Sequence, residues 1–459
     1  MLREIVMKIL VVGCGKIGMS IISSLVKEGH DVVVIDGSRT VIEEVGNIYD
    51  VMCVCGNGAD CETLDEAGVA SAELVVSVTG SDEFNMLSCF IAARMGAKNT
   101  IARIRNPEYN DKSLGFMRQQ LELSVSINPE WMAAKELFNI LRLPAAANIE
   151  SFSRGNLEMV EIPLKQQNSP LDGMSLIELR RKYNAKFLIC AVQRGAECYI
   201  PDGNFVLKSG DKIGLTASQS ELQKLLKMLG LVKKQAKSVI ILGASRISYY
   251  LAKRLIAGGA SVKIIDKDPK RCKAFAGELP EAVVICGDGA EQELLLEEGI
   301  DSVDAFVALT GIDELNILIS IFAQAQNVPK VIAKVNRGEL AGMAKNLGLD
   351  TILSPQKIVT DVLSRYARAL HNSLGSNVET LYTLMDGNVE ALEFSVSPEF
   401  KGLKTPLKEL SLKKGILVAG IIRGRRAMIP SGDDVINAGD RVVVIASDRG
   451  MTDLSDILV

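Results

Sequence analysis

The sequence of 459 residues predicts an α/β protein with two doubly wound parallel sheets, each followed by a small α+β module. The first observation behind this prediction is a duplication. Residues 54–87 align without a gap with residues 285–318, and 16 of the 34 positions are identical. The shared residues are mostly Gly, Asp, Glu, Asn and Thr, which core packing alone does not explain. Copies about 230 residues apart indicate a domain set that occurs twice, not a solenoid of short repeats.

The second observation is the alternation of short apolar runs with helical patterns. In the first half of the chain, strand-like runs occupy residues 8–13, 31–36, 51–55, 74–79, 100–105 and 123–127. Their continuous Val and Ile content is typical of strands that are covered on both faces. This order predicts βαβ units and a parallel sheet. An apolar helix is predicted over residues 131–143, and it either packs on its own sheet or serves as a dimer or crossover helix.

A different pattern follows each parallel sheet. Short strands are separated by turn sequences at Pro201–Gly203 and Ser209–Asp211, and similar turns stand at Pro430–Gly432 and Ala438–Asp440. This pattern predicts a small α+β module that also occurs twice. The predicted subdomains are residues 1–145 and 236–372 for the parallel sheets, and residues 146–230 and 373–459 for the small modules.

The composition excludes several classes of protein. A net charge of −4 does not suit a nucleic-acid binder, which has a basic surface. No apolar run approaches the roughly 18 residues that can span a bilayer, and Arg3, Glu4 and Lys8 interrupt the N-terminus, so no signal peptide is expected. The nine cysteines and two histidines lack the spacing of metal ligands. We therefore expect a cytosolic chain with reduced thiols and no metal site.

The first sheet carries a nucleotide-binding pattern. Gly13, Gly15 and Gly18 follow a strand and open a helix, and Asp36 ends the next strand. In this Rossmann-like context the glycines permit a tight turn, the approach of a pyrophosphate to the backbone, and close helix packing. Asp36 can accept hydrogen bonds from ribose hydroxyls, and its charge would repel a 2′-phosphate, which favours NAD(H) over NADP(H). The alternative is a tight turn that binds nothing.

Further candidates follow the next strands, at the edge where doubly wound sheets bind ligands. Gly56–Ala59 can bring the backbone close to an adenine, and Thr79 and Gly80 end the fourth strand. Arg103, at the fifth strand, contacts a phosphate, a neighbouring subunit or a surface carboxylate. A polar group beyond Gly80 either contacts the ligand or caps the following helix. It consists of Asp82, Glu83 and Asn85.

The second copy departs from this pattern at its turn. Ser245 replaces the glycine that allows close approach, and Ser248 replaces the packing glycine. Asp266 still supplies a ribose acceptor, and Arg246 stands where the first copy has a lysine. A Cβ atom at Ser245 should push a pyrophosphate away from the backbone. The second site is therefore either an altered nucleotide site, for example for a mononucleotide, or a turn kept for architecture.

No catalytic set accompanies these sites in the sequence. Tyr249 and Lys253 have the spacing of the pair used by short-chain dehydrogenases, but they lie in the first helix after the glycine turn, far from where that pair acts. Both histidines are poorly placed for catalysis, since His30 is in the loop before the second strand and His371 is at a helix end. Without a proton relay, the sequence favours a nucleotide sensor over an enzyme. An NAD-dependent oxidoreductase with an unrecognised relay and a purely structural assembly protein are the alternatives.

The chain resembles the TrkA family of tandem RCK proteins (regulators of potassium conductance, also called KTN). The motifs are G-C-G-K-I-G at Gly13–Gly18, C-G-N-G-A-D at Cys55–Asp60, V-T-G-S-D-E-F-N-M at Val78–Met86 and I-A-R-I-R at Ile101–Arg105, with counterparts in the second copy. The resemblance covers nearly the whole chain. It implies two RCK units, each a Rossmann-like subdomain followed by a small α+β RCK C-terminal subdomain. It also implies binding of NAD(H) or of ATP or ADP, which alters the gating of a membrane potassium-translocating subunit of the TrkH or TrkG type.

The resemblance and the residue patterns together give the candidate cofactor-binding residues. In the first copy they are Gly13, Cys14, Gly15, Lys16, Ile17, Gly18, Asp36, Gly56, Asn57, Gly58, Thr79, Gly80 and Arg103. In the second copy they are Gly243, Ala244, Ser245, Arg246, Ile247, Asp266, Thr310 and Lys334. No catalytic and no metal-binding residue is expected.

The resemblance further implies an assembly. Family rings contain eight RCK units, so a chain with two units implies a homotetramer, attached peripherally to the inner face of the cell membrane. The apolar helices at residues 131–143 and 355–370 are the candidates for contacts between subunits. An arginine cluster in the last module either faces a partner or an anionic effector, or lies on a solvated hairpin. It consists of Arg423, Arg425 and Arg426.

Overall fold

The computed structural model describes most of the chain as two compact units. One unit comprises Met1–Phe138 with Ala236–Ala367, and the other comprises Asn139–Gln235 with Arg368–Val459. The described residues are 6–107, 109, 115–117, 120–142, 148–152, 157–164, 171–183, 186–228, 236–349, 351–373, 378–385, 388–424, 426–447, 451 and 453–459.

The first sheet has six parallel strands in the order β3-β2-β1-β4-β5-β6. The strands are β1 (Lys8–Val12), β2 (Asp31–Asp36), β3 (Met52–Cys55), β4 (Leu74–Ser77), β5 (Thr100–Arg103) and β6 (Val125–Ile127). The helices are α1 (Lys16–Lys27), α2 (Arg39–Ile48), α3 (Cys61–Glu66), α4 (Asp82–Arg94) and α5 (Pro129–Arg142). The strand order reverses between β1 and β4, which leaves a crevice at their carboxyl ends.

The first small module follows as a five-stranded antiparallel sheet in the order β10-β9-β11-β8-β7. Its elements are β7 (Asn148–Phe152), β8 (Leu157–Pro163), α6 (Leu176–Tyr183), β9 (Phe187–Arg194), β10 (Glu197–Tyr199), β11 (Lys212–Ala217) and α7 (Gln219–Met228). The predicted turn at Ser209–Asp211 is held by a bidentate pair, because Arg194 donates to both carboxylate oxygens of Asp211 at 2.8 Å.

The second parallel sheet repeats the topology of the first, in the order β14-β13-β12-β15-β16-β17. Its strands are β12 (Ser238–Leu242), β13 (Ser261–Asp266), β14 (Val283–Cys286), β15 (Ala305–Ala308), β16 (Lys330–Lys334) and β17 (Ile352–Leu353). Its helices are α8 (Arg246–Ala257), α9 (Pro269–Glu278), α10 (Gln292–Glu297), α11 (Asp313–Ala325), α12 (Gly338–Asn346) and α13 (Pro355–Ser373). The predicted fold class is confirmed.

The second small module has the strand order β18-β19-β22-β20-β21. Its strands are β18 (Val378–Leu384), β19 (Val389–Ser395), β20 (Ile416–Arg423), β21 (Arg426–Met428) and β22 (Arg441–Ala446). Arg423 donates to both oxygens of Asp440 at 2.9 and 2.8 Å, as Arg194 does to Asp211. Arg423 therefore holds the hairpin together. Arg425 of the predicted cluster lies outside the described residues, and Arg426 is exposed on β21.

The two small modules share a buried core inside their unit. Phe152 and Met159 from the first module and Leu384 and Ala391 from the second belong to one apolar cluster. The hydroxyl of Thr216 also donates to the carbonyl oxygen of Ala419 at 2.9 Å. Each module thus covers the apolar sheet face of the other.

The two parallel sheets are joined within their unit by helices. Helix α1 meets helix α13, where Ser20 and Ser24 form hydrogen bonds of 2.9 and 3.0 Å with the hydroxyls of Thr360 and Ser364. Helix α5 meets helix α8, where the guanidinium of Arg254 lies 5.0 Å from the ring centroid of Trp131. The two apolar helices therefore pack between the two copies, which agrees with the crossover alternative for residues 131–143. Their contacts with other subunits stay a prediction.

A buried asparagine fixes the carboxyl edge of each sheet. The side-chain oxygen of Asn85 accepts hydrogen bonds from the backbone N–H of Thr79 at 2.8 Å and from the hydroxyls of Thr79 and Ser77 at 2.7 and 3.0 Å. Its amide nitrogen donates to the carbonyl oxygen of Arg103 at 2.9 Å. Asn316 makes the equivalent bonds to Thr310 and Lys334 in the second sheet. Helix α4 is thereby tied to strands β4 and β5.

We expect Asn85→Ala to lower the free energy of unfolding by about 3 kcal/mol, because one buried and two partly buried donors lose their acceptor. Urea unfolding followed by the fluorescence of Trp131, the single tryptophan, measures this change. Asn47→Ala is the matched control, since Asn47 is exposed on helix α2, and it should change the value by no more than about 0.5 kcal/mol. Equal losses for the two variants would contradict this role of Asn85.

Candidate functional site

The glycine turn after β1 leaves the start of helix α1 open. Gly13 has a φ of +98°, and a Cβ atom there would lie about 3.0 Å from Thr79. Gly15 precedes the helix as its N-cap and provides no side-chain hydrogen bond to it, and a Cβ atom at Gly15 would meet nothing within 4 Å. At Gly18 a Cβ atom would overlap the carbonyl oxygen of Gly13. The turn therefore presents the first backbone N–H groups of the helix to open space, where they can bind an anion.

The carboxylate of Asp36 holds this turn in place. It accepts hydrogen bonds from the backbone N–H of Cys14 at 2.8 Å and of Ser38 at 2.9 Å. A carboxylate has about four acceptor positions, so Asp36 can still accept a ribose hydroxyl. The sequence analysis missed the structural role. A signal for it was present, because an acidic residue at the end of β2 faces the turn after β1 in this topology.

Cys14 lies behind the turn, and its thiol is unreactive. Its burial, followed by the nearby Asp36 carboxylate and the Cys53 thiol, raises the pKa of Cys14 to about 12. The thiol is thus protonated at neutral pH, and it is not an activated nucleophile.

Arg103 is a buried cation that lacks a full set of partners. Only 8% of the residue is exposed, its terminal nitrogen donates to the carbonyl oxygen of Thr79, and its Nε has no hydrogen-bond acceptor among the described residues. Burial lowers the pKa of Arg103, and the nearby Arg105 lowers it further, while Glu130 acts in the opposite direction. A buried guanidinium with an unpaired N–H group is well suited to bind a phosphate.

The polar group after β4 serves the local structure. Ser81 caps helix α4, and the carboxylate of Asp82 accepts hydrogen bonds from the backbone N–H groups of Arg105 and Asn106, both at 2.8 Å. Glu83 is exposed and accepts hydrogen bonds from Ser81 and Tyr109. Together with the internal bonds of Asn85, these contacts favour the capping alternative over ligand contact.

These elements surround a cleft of about 1230 Å³ at the carboxyl edge of the first sheet. The volume exceeds the roughly 300–1,000 Å³ that is typical of small-ligand pockets, and it suits a dinucleotide. The predicted residues that line the cleft are Gly13, Gly15, Lys16, Ile17, Asp36, Gly56, Asn57, Gly58, Thr79, Gly80 and Arg103. Cys14 and Gly18 stand behind the turn and do not line it.

The second copy also contributes to this cleft. Ile247, Lys334, Asn336, Pro355 and Gln356 line it from the opposite side. Burial lowers the pKa of Lys334, and Lys16 of the first copy lowers it further, whereas Asp313 and Glu130 oppose the shift. Two residues that the sequence analysis assigned to the second site, Ile247 and Lys334, therefore belong to the first cleft. Their position depends on how the two sheets pack, which one copy alone does not reveal.

The corresponding turn of the second copy closes on itself. The hydroxyl of Ser245 accepts a hydrogen bond from the backbone N–H of Ser248 at 3.3 Å, and the two hydroxyls are 2.9 Å apart. The hydroxyl of Ser248 also donates to the carbonyl oxygen of Gly243 at 2.5 Å. The serine side chains thus provide the helix cap that Gly15 and Gly18 leave open.

The second pocket, beside this turn, is small. It has a volume of about 320 Å³ and is lined by Gly243, Ala244, Ser245, Asp266 and Thr310 among the predicted residues. Asp266 supports its turn as Asp36 does, since it accepts hydrogen bonds from the backbone N–H of Ala244 at 2.7 Å and of Asp268 at 2.9 Å. Arg246 lines neither pocket, but it lies close enough to Arg103 to lower the pKa of that residue.

The tyrosine–lysine pair that the sequence analysis considered lies away from both pockets. Lys253 lies 5.7 Å from the ring centroid of Tyr249 on helix α8, and neither residue lines a pocket. Within the described parts of the chain, no three His, Cys, Asp or Glu side chains are grouped to hold a metal ion. Among the helices described, none is both long and apolar enough to cross a membrane.

Comparison with known proteins finds family matches for both parallel-sheet subdomains and for both small modules. The TrkA-N domain family matches residues 9–116 and 239–355, and the TrkA-C domain family matches residues 159–230 and 393–459. A Trk system potassium uptake protein TrkA homolog of Archaeoglobus fulgidus is 33% identical over 440 residues, which cover 96% of this chain and 97% of the relative. TrkA of Vibrio alginolyticus is 29% identical, with 95% of each chain covered.

Solved structures share the fold over nearly the whole chain. The GsuK channel bound to NAD aligns with a TM-score of 0.64 at 19% identity, and covers 97% of this chain and 78% of that one. The GsuK RCK domain aligns with a TM-score of 0.63, also at 19% identity, with coverage of 97% and 93%. The tandem domains and the full-length similarity to curated relatives lead to one assignment: the chain belongs to the TrkA family of Trk system potassium uptake proteins.

Proposed function

We propose that the chain is a nucleotide-sensing regulatory subunit that gates a membrane potassium-translocating subunit of the TrkH or TrkG type. The observation that carries this proposal is the first cleft. There the open turn at Gly15, the ribose acceptor Asp36 and the incompletely paired Arg103 surround a space of dinucleotide size. The potassium-transport role follows from membership of the TrkA family.

The proposed ligand is NAD(H). Its pyrophosphate would lie against the backbone at Gly13–Ile17, and its adenosine ribose would bond to Asp36. The charge of Asp36 disfavours a 2′-phosphate, which argues against NADP(H). ATP and ADP share the adenosine and the diphosphate, so they are the alternative ligands of the same cleft. Structures named for GsuK bound to NAD and for GsuK bound to ADP support both classes of ligand by analogy.

We propose that ligand binding is coupled to the arrangement of the two copies, because residues of both copies line the cleft. A ligand that contacts Lys16 and Arg103 of the first copy also meets Ile247 and Lys334 of the second. Such a ligand binds best when the two copies are close together, so it stabilises that arrangement over others. Its phosphates would also offset the repulsion among the cations of the cleft. A differential affinity of about 1–3 kcal/mol between two arrangements is typical of such coupling.

The oxidoreductase alternative lacks support. The relatives are named as potassium uptake proteins, and the described residues that line the cleft include no histidine or tyrosine that could serve as a proton relay. The protonated thiol of Cys14 and the cation Arg103 do not provide one.

We further propose that four chains form the functional ring. The proposed contact between chains is formed by two leucines at equivalent positions of the two copies, Leu87 on helix α4 and Leu318 on helix α11. Their side chains are exposed, at 50% and 65%. Exposed apolar side chains on matching helices fit an interface between copies, in which the same type of surface repeats around a ring.

We expect Asp36→Ala to weaken NADH binding by roughly 10- to 100-fold, because a hydrogen bond to a charged acceptor is lost. The matched variant Asp266→Ala removes the equivalent support of the second turn, and it should change NADH affinity by no more than about 3-fold. Titration calorimetry of the full chain with NADH measures both. Equal losses would contradict the assignment of the first cleft as the main site.

The ratio of NADPH to NADH dissociation constants adds a control for damage to the turn. Damage alone weakens both dinucleotides alike, whereas loss of the Asp36 charge should lower the ratio. In bacterial cells that lack their own TrkA-type subunit, the wild-type chain together with a TrkH-type partner should restore growth at low potassium, and Asp36→Ala should restore it poorly. Growth that is independent of Asp36 would contradict regulation through this site.

We expect Gly15→Ser to abolish tight NADH binding without loss of stability. The φ of Gly15 is −68° and a Cβ atom there meets nothing, so a serine fits and can cap helix α1 as Ser245 caps helix α8. The new hydroxyl would occupy the place of a pyrophosphate oxygen, which should reduce NADH affinity about 10-fold or more. Calorimetry and thermal unfolding measure the two effects. The control Ser245→Gly should leave NADH affinity at the first cleft unchanged, and unaltered binding by Gly15→Ser would contradict the model of the turn as the pyrophosphate site.

We expect Leu87→Asp combined with Leu318→Asp to reduce the molar mass in solution from that of a tetramer to that of a smaller species. A carboxylate placed on each helix would be buried and unpaired in the interface. Size-exclusion chromatography with light scattering measures the mass. Ile48→Asp is the control, since Ile48 is an apolar residue of helix α2 with 62% exposure. A tetramer that persists in the double variant would exclude these helices as the interface.

A further inference from the structure

Two thiols meet at the edge of the second parallel sheet. Cys272 lies on the first turn of helix α9 and is buried, whereas Cys286 ends strand β14 and is exposed. The sulfur of Cys272 lies 3.1 Å from the carbonyl oxygen of Asp266 and 3.8 Å from that of Ile285, the residue before Cys286. Strands β13 and β14 place Asp266 and Cys286 side by side. The Cys272 sulfur is thus held over the end of β14, close enough to the Cys286 thiol to interact with it.

The first copy lacks this pair. Cys55 occupies the position that corresponds to Cys286, but Ile42 occupies the position that corresponds to Cys272 and is buried in the same way. The duplication therefore supplies an internal comparison, in which one copy has two facing thiols and the other has one thiol facing an isoleucine.

We propose that Cys272 and Cys286 form a reversible disulfide when the protein meets a peroxide, and that this pair is a redox modification site of the second Rossmann-like subdomain. The exposed sulfur of Cys286 attacks hydrogen peroxide, the O–O bond breaks, and Cys286 becomes a sulfenic acid while water leaves. The sulfur of Cys272 then attacks the sulfur of Cys286, the S–O bond breaks, and a second water leaves as the S–S bond forms. Two thiols are oxidised, and one peroxide is reduced to two water molecules.

The surroundings of the two sulfurs determine which one reacts first with the peroxide. Burial, the neighbouring Cys286 thiol and the Asp266 carboxylate raise the pKa of Cys272 to about 11. Cys272 is therefore protonated and shielded at neutral pH, so it does not react first with the peroxide. It attacks only the sulfur that stands next to it, and its proton leaves with the departing hydroxide.

The backbone tolerates the change. When the Cys272 proton is lost, the carbonyl oxygen of Asp266 keeps its hydrogen bond from the backbone N–H of Gly287 at 3.0 Å. No buried acceptor at Asp266 is left unpaired. The new bond would link helix α9 to strand β14. Asp268, just before this helix, and Asp288, just after this strand, line the second pocket. Oxidation would therefore take place next to the second pocket.

The test uses the full-length wild-type chain, fully reduced, without nucleotide, and treated with a small molar excess of hydrogen peroxide. We expect the count of free thiols to fall from nine to seven and to return to nine after treatment with dithiothreitol. Mass spectrometry of a non-reduced digest should show the peptides of Cys272 and Cys286 joined. Nine thiols after treatment, or Cys286 joined to a different cysteine, would overturn the proposal.

Variants separate the two chemical steps. Cys272→Ser should form no disulfide at this site and should leave Cys286 as a sulfenic acid that dimedone labels. Cys55→Ser, the matched change in the first copy, should form the disulfide as the wild type does. A disulfide that depends on Cys55, or a wild-type protein in which Cys286 is labelled by dimedone and never joined to Cys272, would overturn it. The result does not depend on NADH binding, so it stands or falls separately from the proposed sensor function.

Discussion

Both parallel-sheet subdomains depend on one constraint. A carboxylate at the end of the second strand accepts hydrogen bonds from the turn that follows the first strand. Asp36 holds the backbone of Cys14 and Ser38, and Asp266 holds the corresponding backbone in the second copy. These bonds fix the turn after the first strand of each sheet. The position of that turn then determines where the following helix begins. A residue chosen by the sequence pattern as a ligand acceptor is therefore also part of the scaffold.

The turn differs between the two copies by two side chains, because serines in the second copy replace glycines of the first. In the first copy, glycines leave the start of the helix open to a large cleft. In the second copy, the hydroxyls of Ser245 and Ser248 cap the same helix start and bond to the turn, beside a pocket about a quarter as large. A hydroxyl that satisfies the helix end competes with an anion for the same N–H groups. The scaffold can thus remain symmetric while the sites become unequal.

The packing of the two sheets gives the first cleft a second wall. Helices α5 and α13 cross from one copy to the other, where Trp131 meets Arg254 and Ser24 meets Ser364. This arrangement brings Lys334 of the second copy into the first cleft, near Lys16. A ligand in such a site would contact both copies, whereas a ligand in a site within one Rossmann-like subdomain would contact only one. The cationic walls also explain why an anionic ligand would draw the copies together.

Much of the molecule is determined by its sequence alone. The duplicated segment, the alternation of strands and helices and the glycine spacing predict the four sheets and the turn at Gly13–Gly18, because these depend on local backbone geometry and on short-range periodicity. Only the tertiary structure decides that Asn85 bonds to the backbone at the ends of the strands, that Lys334 and Ile247 line the cleft of the other copy, and that Cys272 lies beside Cys286. Those facts arise from contacts between segments far apart in the chain, and the residue pattern of any one segment carries no information about which distant side chain will lie against it.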